Sequence, residues 1–178
     1  MQMATRDKRW TLEELHRLPD DGNRYEVVRG ELFVTPAPRA SHEIILARLH
    51  EILAPFVRAN SLGQIFHRAI IRNDGSQVEP DLVVQQSHTI ADANWYTLPT
   101  PILVVEVLSD VTRRRDLGVK RMLYLGAGIP EYWVVDEDAK SVRVIRNGMP
   151  DVVVTGEMRW RPDPAADVLV FDVASLFV

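Results

Sequence analysis

The chain has 178 residues, 46% of them hydrophobic and 26% charged, with a formal net charge of −4 and no cysteine. That length suits one domain with a real core, and the lack of cysteine excludes disulfides, thiolate metal sites and a cysteine nucleophile. The acidic balance argues against a constitutive, salt-driven nucleic-acid coat, and no apolar run approaches the roughly 20 residues that cross a bilayer.

In chain order, residues 1–10 carry Arg6, Lys8 and Arg9 with no apolar core behind them, so they read as a flexible arm and not a signal peptide. A cytoplasmic protein with no membrane partner is expected. Thr11, with Glu14 three residues on, has the spacing of a capping box and opens a short helix that stops by Pro19. Residues 24–28 and 31–35 read as two strands of a hairpin around Arg29 and Gly30, with Glu26 inside the first. After the break at Pro36 and Pro38, Ser41 is expected to cap a long amphipathic helix through Ile45, Leu49, Ile52, Leu53 and Phe56, which Pro55 bends or ends early. Strands follow at 64–72 and 78–84, separated by a tight turn at Asn73–Ser76, and then a loop over 85–98. A strand at 102–107 leads to a helix at 113–125 ended by Gly126 and Gly128. Strands are predicted at 131–135, 142–146 and 168–173, with a hairpin-like segment from Met149. The order predicts an α/β fold, a mixed β-sheet flanked by helices in a single domain over 1–178.

Two of these strands carry an acid where a buried strand should have none. Asp81 shares its face with Glu79 and Val83, and Glu106 shares its face with Val104 and Leu108. A buried carboxylate is costly unless a cation meets it, so two on neighbouring strands suit one divalent ion. The alternative is structural, with Asp81 capping a turn and Glu106 paired to an arginine. In the helix that follows, Leu117, Val119, Met122, Leu123 and Tyr124 mark an apolar arc, and Asp116 and Lys120 fall inside it. An inward lysine beside two strand acids is an active-site candidate. Arg113–Arg115 stand where the helix dipole disfavours cations, which suggests an anionic partner such as phosphate; a solvated charge run is the plainer reading. His42, His50, His67 and His88 show no metal-binding spacing.

The ordered set of Pro80-Asp81, Glu106 to Ser109, Asp116, Lys120, Tyr124 and the segment Gly128 to Asp136 resembles the Uma-two family of restriction-endonuclease-like proteins, in the PD-(D/E)XK nuclease superfamily. Arg24 to Leu32 and the pair Ser41-His42 fit it too, so the resemblance covers the chain from about Leu12 onward. It implies a restriction-endonuclease-like core in which Asp81 and Glu106 hold Mg²⁺ or Mn²⁺ and Glu26 is a further acid at the site. The superfamily lysine would stand at Leu108; Lys120 is the position that matches within the family, and Asp110 stands where the family tends to have proline. The implied function is a metal-dependent endonuclease that hydrolyses phosphodiester bonds in DNA, with Lys120 at the transition state and Arg113, Arg115 and His42 toward substrate phosphate. A homodimer is implied as well, with Trp133 in an apolar strand. The competing class is a non-catalytic module that binds metal or nucleic acid. If the two acids repel each other without a partner, Asp81→Ala should leave or raise stability.

Overall fold

The computed structural model describes residues 8–86, 94–109 and 112–178. Most of the expected N-terminal arm, the centre of the expected 85–98 loop with His88, and Asp110 lie outside the described residues. Helix α1 (Leu12–Leu15) begins with the expected reciprocal capping box of Thr11 and Glu14. The hairpin of β1 (Arg24–Val28) and β2 (Glu31–Thr35) turns on Arg29 and Gly30, both at positive φ, which suits the right-handed twist of the flanking strands.

Helix α2 (Ala40–Ala59) differs from expectation at both ends. Its N-cap is Arg39, with no side-chain cap; Ser41 is the second residue of the helix and its hydroxyl donates to Glu137 instead. Pro55 neither ends nor shortens it. That residue sits on the exposed side, while Leu53 and Val57 on either side of it are anchored in the core.

The single strand expected over 64–72 is two, β3 (Gln64–Phe66) and β4 (Ile71–Asn73), with a break at Arg68, whose φ is 55°. The single strand expected over 78–84 is likewise two, β5 (Ser76–Val78) and β6 (Leu82–Gln85). Glu79, Pro80 and Asp81 carry the chain from one sheet to another, and Pro80 has no N–H to continue a ladder. Strand β7 (Leu103–Val107) is followed by a helical run made of α3 (Arg113–Arg115), a π turn (Asp116–Lys120) and α4 (Arg121–Gly126). Then come β8 (Glu131–Asp136), β9 (Ser141–Arg146), β10 (Val152–Val154), β11 (Glu157–Trp160) and β12 (Leu169–Asp172), closed by a 3₁₀ turn (Val173–Phe177).

Six strands form the main sheet in the order β10-β9-β8-β7-β6-β3, four form a second in the order β2-β1-β5-β4, and β11 pairs with β12. The parallel pair is β7 with β8, joined by the helical run as a parallel crossover requires. One face of the main sheet, with Val105, Val107, Trp133 and Val144, packs on Ile45, Leu49 and Leu53 of α2 and on Met158 and Trp160. The other, with Val83, Val104, Tyr132 and Ile145, packs on Leu123 and Tyr124 of α4 and on Val28 and Val78 of the second sheet. Each such side chain contributes about 1.5–3 kcal/mol. Met122, placed in the apolar arc by its spacing, is exposed. No helix among the described residues is long and apolar enough to cross a membrane.

Candidate active site

Alternation in β1 turns Arg24 and Glu26 to the same side as Val28, toward the junction of the two sheets. On β6 and β7, Leu82 faces Val105 in antiparallel register, so one step further along Asp81 stands across from Glu106. The π turn puts Asp116 and Lys120 inward against them. Glu26, Asp81, Glu106, Asp116, Arg115 and Lys120 are all buried, with Lys120 at 0% exposure.

Lys120 Nζ donates to Glu106 Oε1 at 2.6 Å and lies 2.9 Å from Glu26 Oε1 and 3.8 Å from Asp116 Oδ1. Tyr124 OH donates to the same Glu106 oxygen at 2.6 Å. Glu26 Oε1 also accepts the Glu79 backbone N–H at 2.8 Å, and Glu26 Oε2 is 3.3 Å from Arg115 Nη1. Asp81 is met from three sides: Arg24 Nη1 donates to Oδ1 at 2.8 Å, the Val107 N–H donates to Oδ2 at 2.9 Å, and His42 Nε2 lies 3.1 Å from Oδ2. Asp81 is therefore a satisfied, paired acid. The expectation that its removal would relieve repulsion fails, because removing it strips Arg24 and His42 of their counterion.

The electrostatics follow from this wiring. Burial alone would raise Asp81, but the His42 hydrogen bond and the charges of Arg24, His42 and Lys120 outweigh it and hold the carboxyl far below the usual range. Burial would likewise raise Glu26, yet Lys120, Arg24 and Arg115 hold it low. For Glu106 burial wins over Lys120, and with Asp81 and Asp116 close by the carboxyl is pushed up to about 8. Lys120 is raised, since Glu106, Glu26 and Asp116 outweigh its burial. His42 is raised as well, its bonds to Asp81 and Glu43 overcoming the opposing effect of burial.

A cavity of about 300 Å³ opens over this cluster, lined by Arg24, His42, Asp81 and Val107 together with Pro36, Ala37, Pro38 and Arg68 among others. Of the four acids and bases singled out in the sequence, Asp81 lines it; Glu26, Glu106 and Lys120 form the layer behind. His42 faces the cavity. The two candidate phosphate arginines part company, Arg115 buried between Glu26 and Phe33, Arg113 held by Asp136 at 2.7 and 3.0 Å. Trp133, which motivated the expected dimer, is fully buried and packs edge-on against Trp160.

Sequence reasoning gave neither Arg24 nor Tyr124 a role at the site, although both stand in segments that carry the family resemblance. Both left a signal. Arg24 alternates with Glu26 on one face of a strand, and Tyr124 lies four residues after Lys120.

Among the described residues no group of three or more His, Cys, Asp or Glu side chains is arranged to hold a metal ion. Asp81 and Glu106, across from each other by register, nonetheless supply hard oxygen donors of the kind Mg²⁺ or Mn²⁺ takes. The donor set fits such an ion.

The architecture is that of a nuclease-like α/β fold. The chain belongs to the Uma2 family, described as "Putative restriction endonuclease", which it matches over residues 12–174. A solved structure described as "a putative nuclease belonging to DUF820" from Anabaena variabilis ATCC 29413 is similar over 94% of this chain and 97% of that one, with a TM-score of 0.77. At 19% identity that likeness is one of fold. No curated protein matches the chain.

Proposed function

We propose that the protein is a metal-dependent nuclease that hydrolyses phosphodiester bonds in DNA, using Mg²⁺ or Mn²⁺ held by Asp81 and Glu106. The observation that carries this reading is the opposition of those two carboxylates across β6 and β7, with Asp81 reaching the cavity. When bound, the ion acidifies a water and offsets charge on the phosphate. Asp81 presents its oxygens to the cavity, fixed by the Val107 N–H. Lys120 and Tyr124 fix Glu106 from behind, and Glu26 fixes Lys120, so these three act as positioning residues. Arg24 and His42 offset the charge of Asp81 before loading and face incoming phosphate afterwards.

The test is cleavage of plasmid and single-stranded DNA with Mn²⁺ by wild type, Asp81→Asn and Lys120→Met, beside calorimetric metal titration. A loss of about 100-fold or more in rate is expected for Asp81→Asn, and of about 10- to 100-fold for Lys120→Met, as for other residues that orient a metal ligand. Asp81→Asn should also lose metal affinity, and Lys120→Met should keep most of it. A second reading, a non-catalytic binding module, draws on the complete burial of Lys120 behind Asp81. Wild type that binds Mn²⁺ and DNA yet cleaves neither substrate favours it.

A further inference from the structure

The cavity has a chemical gradient. At its buried end stand Asp81, 4% exposed, and Arg24 and His42, whose side chains are 13% and 14% exposed. Arg24 spends Nη1 on both Asp81 and the Glu79 carbonyl, while its buried Nε has no hydrogen-bond partner. The outer wall is Pro36, Ala37 and Pro38, all exposed and all apolar. Arg68 at the mouth is exposed. Two further acids line the space, and both are engaged, Glu137 by the Ser41 hydroxyl and Glu43 by His42.

A phosphate is the ligand for a largely buried guanidinium and an imidazole that line one end of a cavity together. An apolar wall across from it suits the face of a sugar and a base. The volume of about 300 Å³ is at the small end of ligand pockets and accommodates one such unit. A stacked duplex, whose major groove alone is about 12 Å wide, meets a protein on an extended face and delivers no single nucleotide into a pocket unless it is first unstacked.

We infer that the cavity over Asp81 receives one nucleotide unit, its phosphate at Arg24 and His42 and its sugar and base against Pro36–Pro38, so that the substrate is an unpaired strand or strand end and not the interior of an intact duplex. The inference rests on the phosphodiester reading above, but it concerns binding and is tested without turnover.

The experiment titrates the full chain, with Ca²⁺ and separately with EDTA, against dAMP, inorganic phosphate, a single-stranded 12-mer and the blunt duplex of the same sequence. One dAMP per chain is expected in at least one of the two conditions, bound 10-fold or more tightly than phosphate, with the single strand bound more tightly than the duplex and displaced by dAMP. Arg24→Met should weaken dAMP by about 10-fold or more, as for loss of a charge-assisted hydrogen bond. Because Arg24 also supports Asp81, Ala37→Trp serves as the second variant: it fills the cavity from an exposed position, and it should abolish dAMP binding at an unchanged melting temperature. Duplex bound as tightly as single strand, dAMP no tighter than phosphate, or indifference to Ala37→Trp each overturns the inference. Nucleotide bound in the cavity without any cleavage sinks the hydrolase instead and leaves this inference standing.

Discussion

Charge balance within the buried cluster sets how single residues respond to pH. Glu26, Asp81, Glu106 and Asp116 are four acids against the three permanent cations Arg24, Arg115 and Lys120, so one further proton completes the balance, and His42 beside Asp81 competes with the acids for it. Glu106, pushed up to about 8 chiefly by burial, is the acid best placed to hold it. In the unfolded chain that carboxyl titrates near 4.5, so between there and about 8 the folded state binds more protons and stability falls as pH rises. The slope reaches at most one proton, about 1.4 kcal/mol per pH unit. His42, also raised, adds a loss of the same sign above its ordinary 6.5. Urea unfolding across pH 5–9 should therefore show falling stability, and Glu106→Gln should flatten the part below 6.5 while leaving the His42 part; a flat wild-type profile refutes the assignment. Asp81 behaves oppositely, its stabilisation present above 3.8 and lost as pH falls below. Near neutrality Asp81→Ala should cost about 3–5 kcal/mol, because it leaves Arg24 largely buried without its counterion. Equilibrium unfolding that finds Asp81→Ala as stable as wild type would return the acid to the unpaired state first expected of it.

Among the elements, the π turn at Asp116–Lys120 is the one that positions the cluster. Its single wide turn lets Asp116 and Lys120 both face inward while Leu123 and Tyr124 of α4 keep their places in the core. Gly118 within it does not have positive φ, and a Cβ there would meet nothing within 4 Å. Gly118→Ala should accordingly stabilise the protein by about 0.5–1 kcal/mol, chiefly by restricting the unfolded chain; a drop in melting temperature would mean the turn needs glycine for some other reason. Helical spacing was enough to turn Lys120 inward, since i, i+3 and i, i+4 contacts are encoded locally, but no local signal marks a π turn. Strands β7, β8 and β9 were legible for the same kind of reason, as apolar runs between turn residues. The breaks at Arg68 and at Glu79–Asp81 were not, because the apolar run continues across them while the partner strands change, and pairing is a non-local choice. Pro80 was the available warning. Trp160 and β11 went unseen because an alternation of four residues in a charged stretch is too short to stand out.

At the scale of the molecule, the acid–base cluster is the joint between two sheets. Glu26 belongs to the four-stranded sheet, Glu106 to the six-stranded one, and Lys120 Nζ touches both, at 2.9 and 2.6 Å. The Glu79 N–H, on the crossing between the sheets, is tied to Glu26 as well. Apolar packing of Val28 and Val78 against Tyr124 and Val83 also holds the joint, so the cluster is a specific clamp on an interface that has its own cohesion. Cutting it should loosen one sheet before the other. Lys120→Met keeps the stem's bulk and removes the charge, leaving Glu26 and Glu106 facing each other with Arg115 as the nearest compensation for Glu26. Hydrogen exchange by mass spectrometry should then show amides of β1, β2, β4 and β5 exchanging faster, while those of β6, β7 and β8, enclosed by the α2 core, keep their protection. Global stability should fall by about 3–5 kcal/mol, the usual cost of breaking a buried pair, less whatever Glu106 recovers by taking up a proton. Faster exchange spread evenly over both sheets would mean that the apolar core alone joins them, and no change anywhere would mean that Lys120 holds neither acid in solution. The selective outcome would show that the lysine holds the two sheets together in the layer directly behind Asp81.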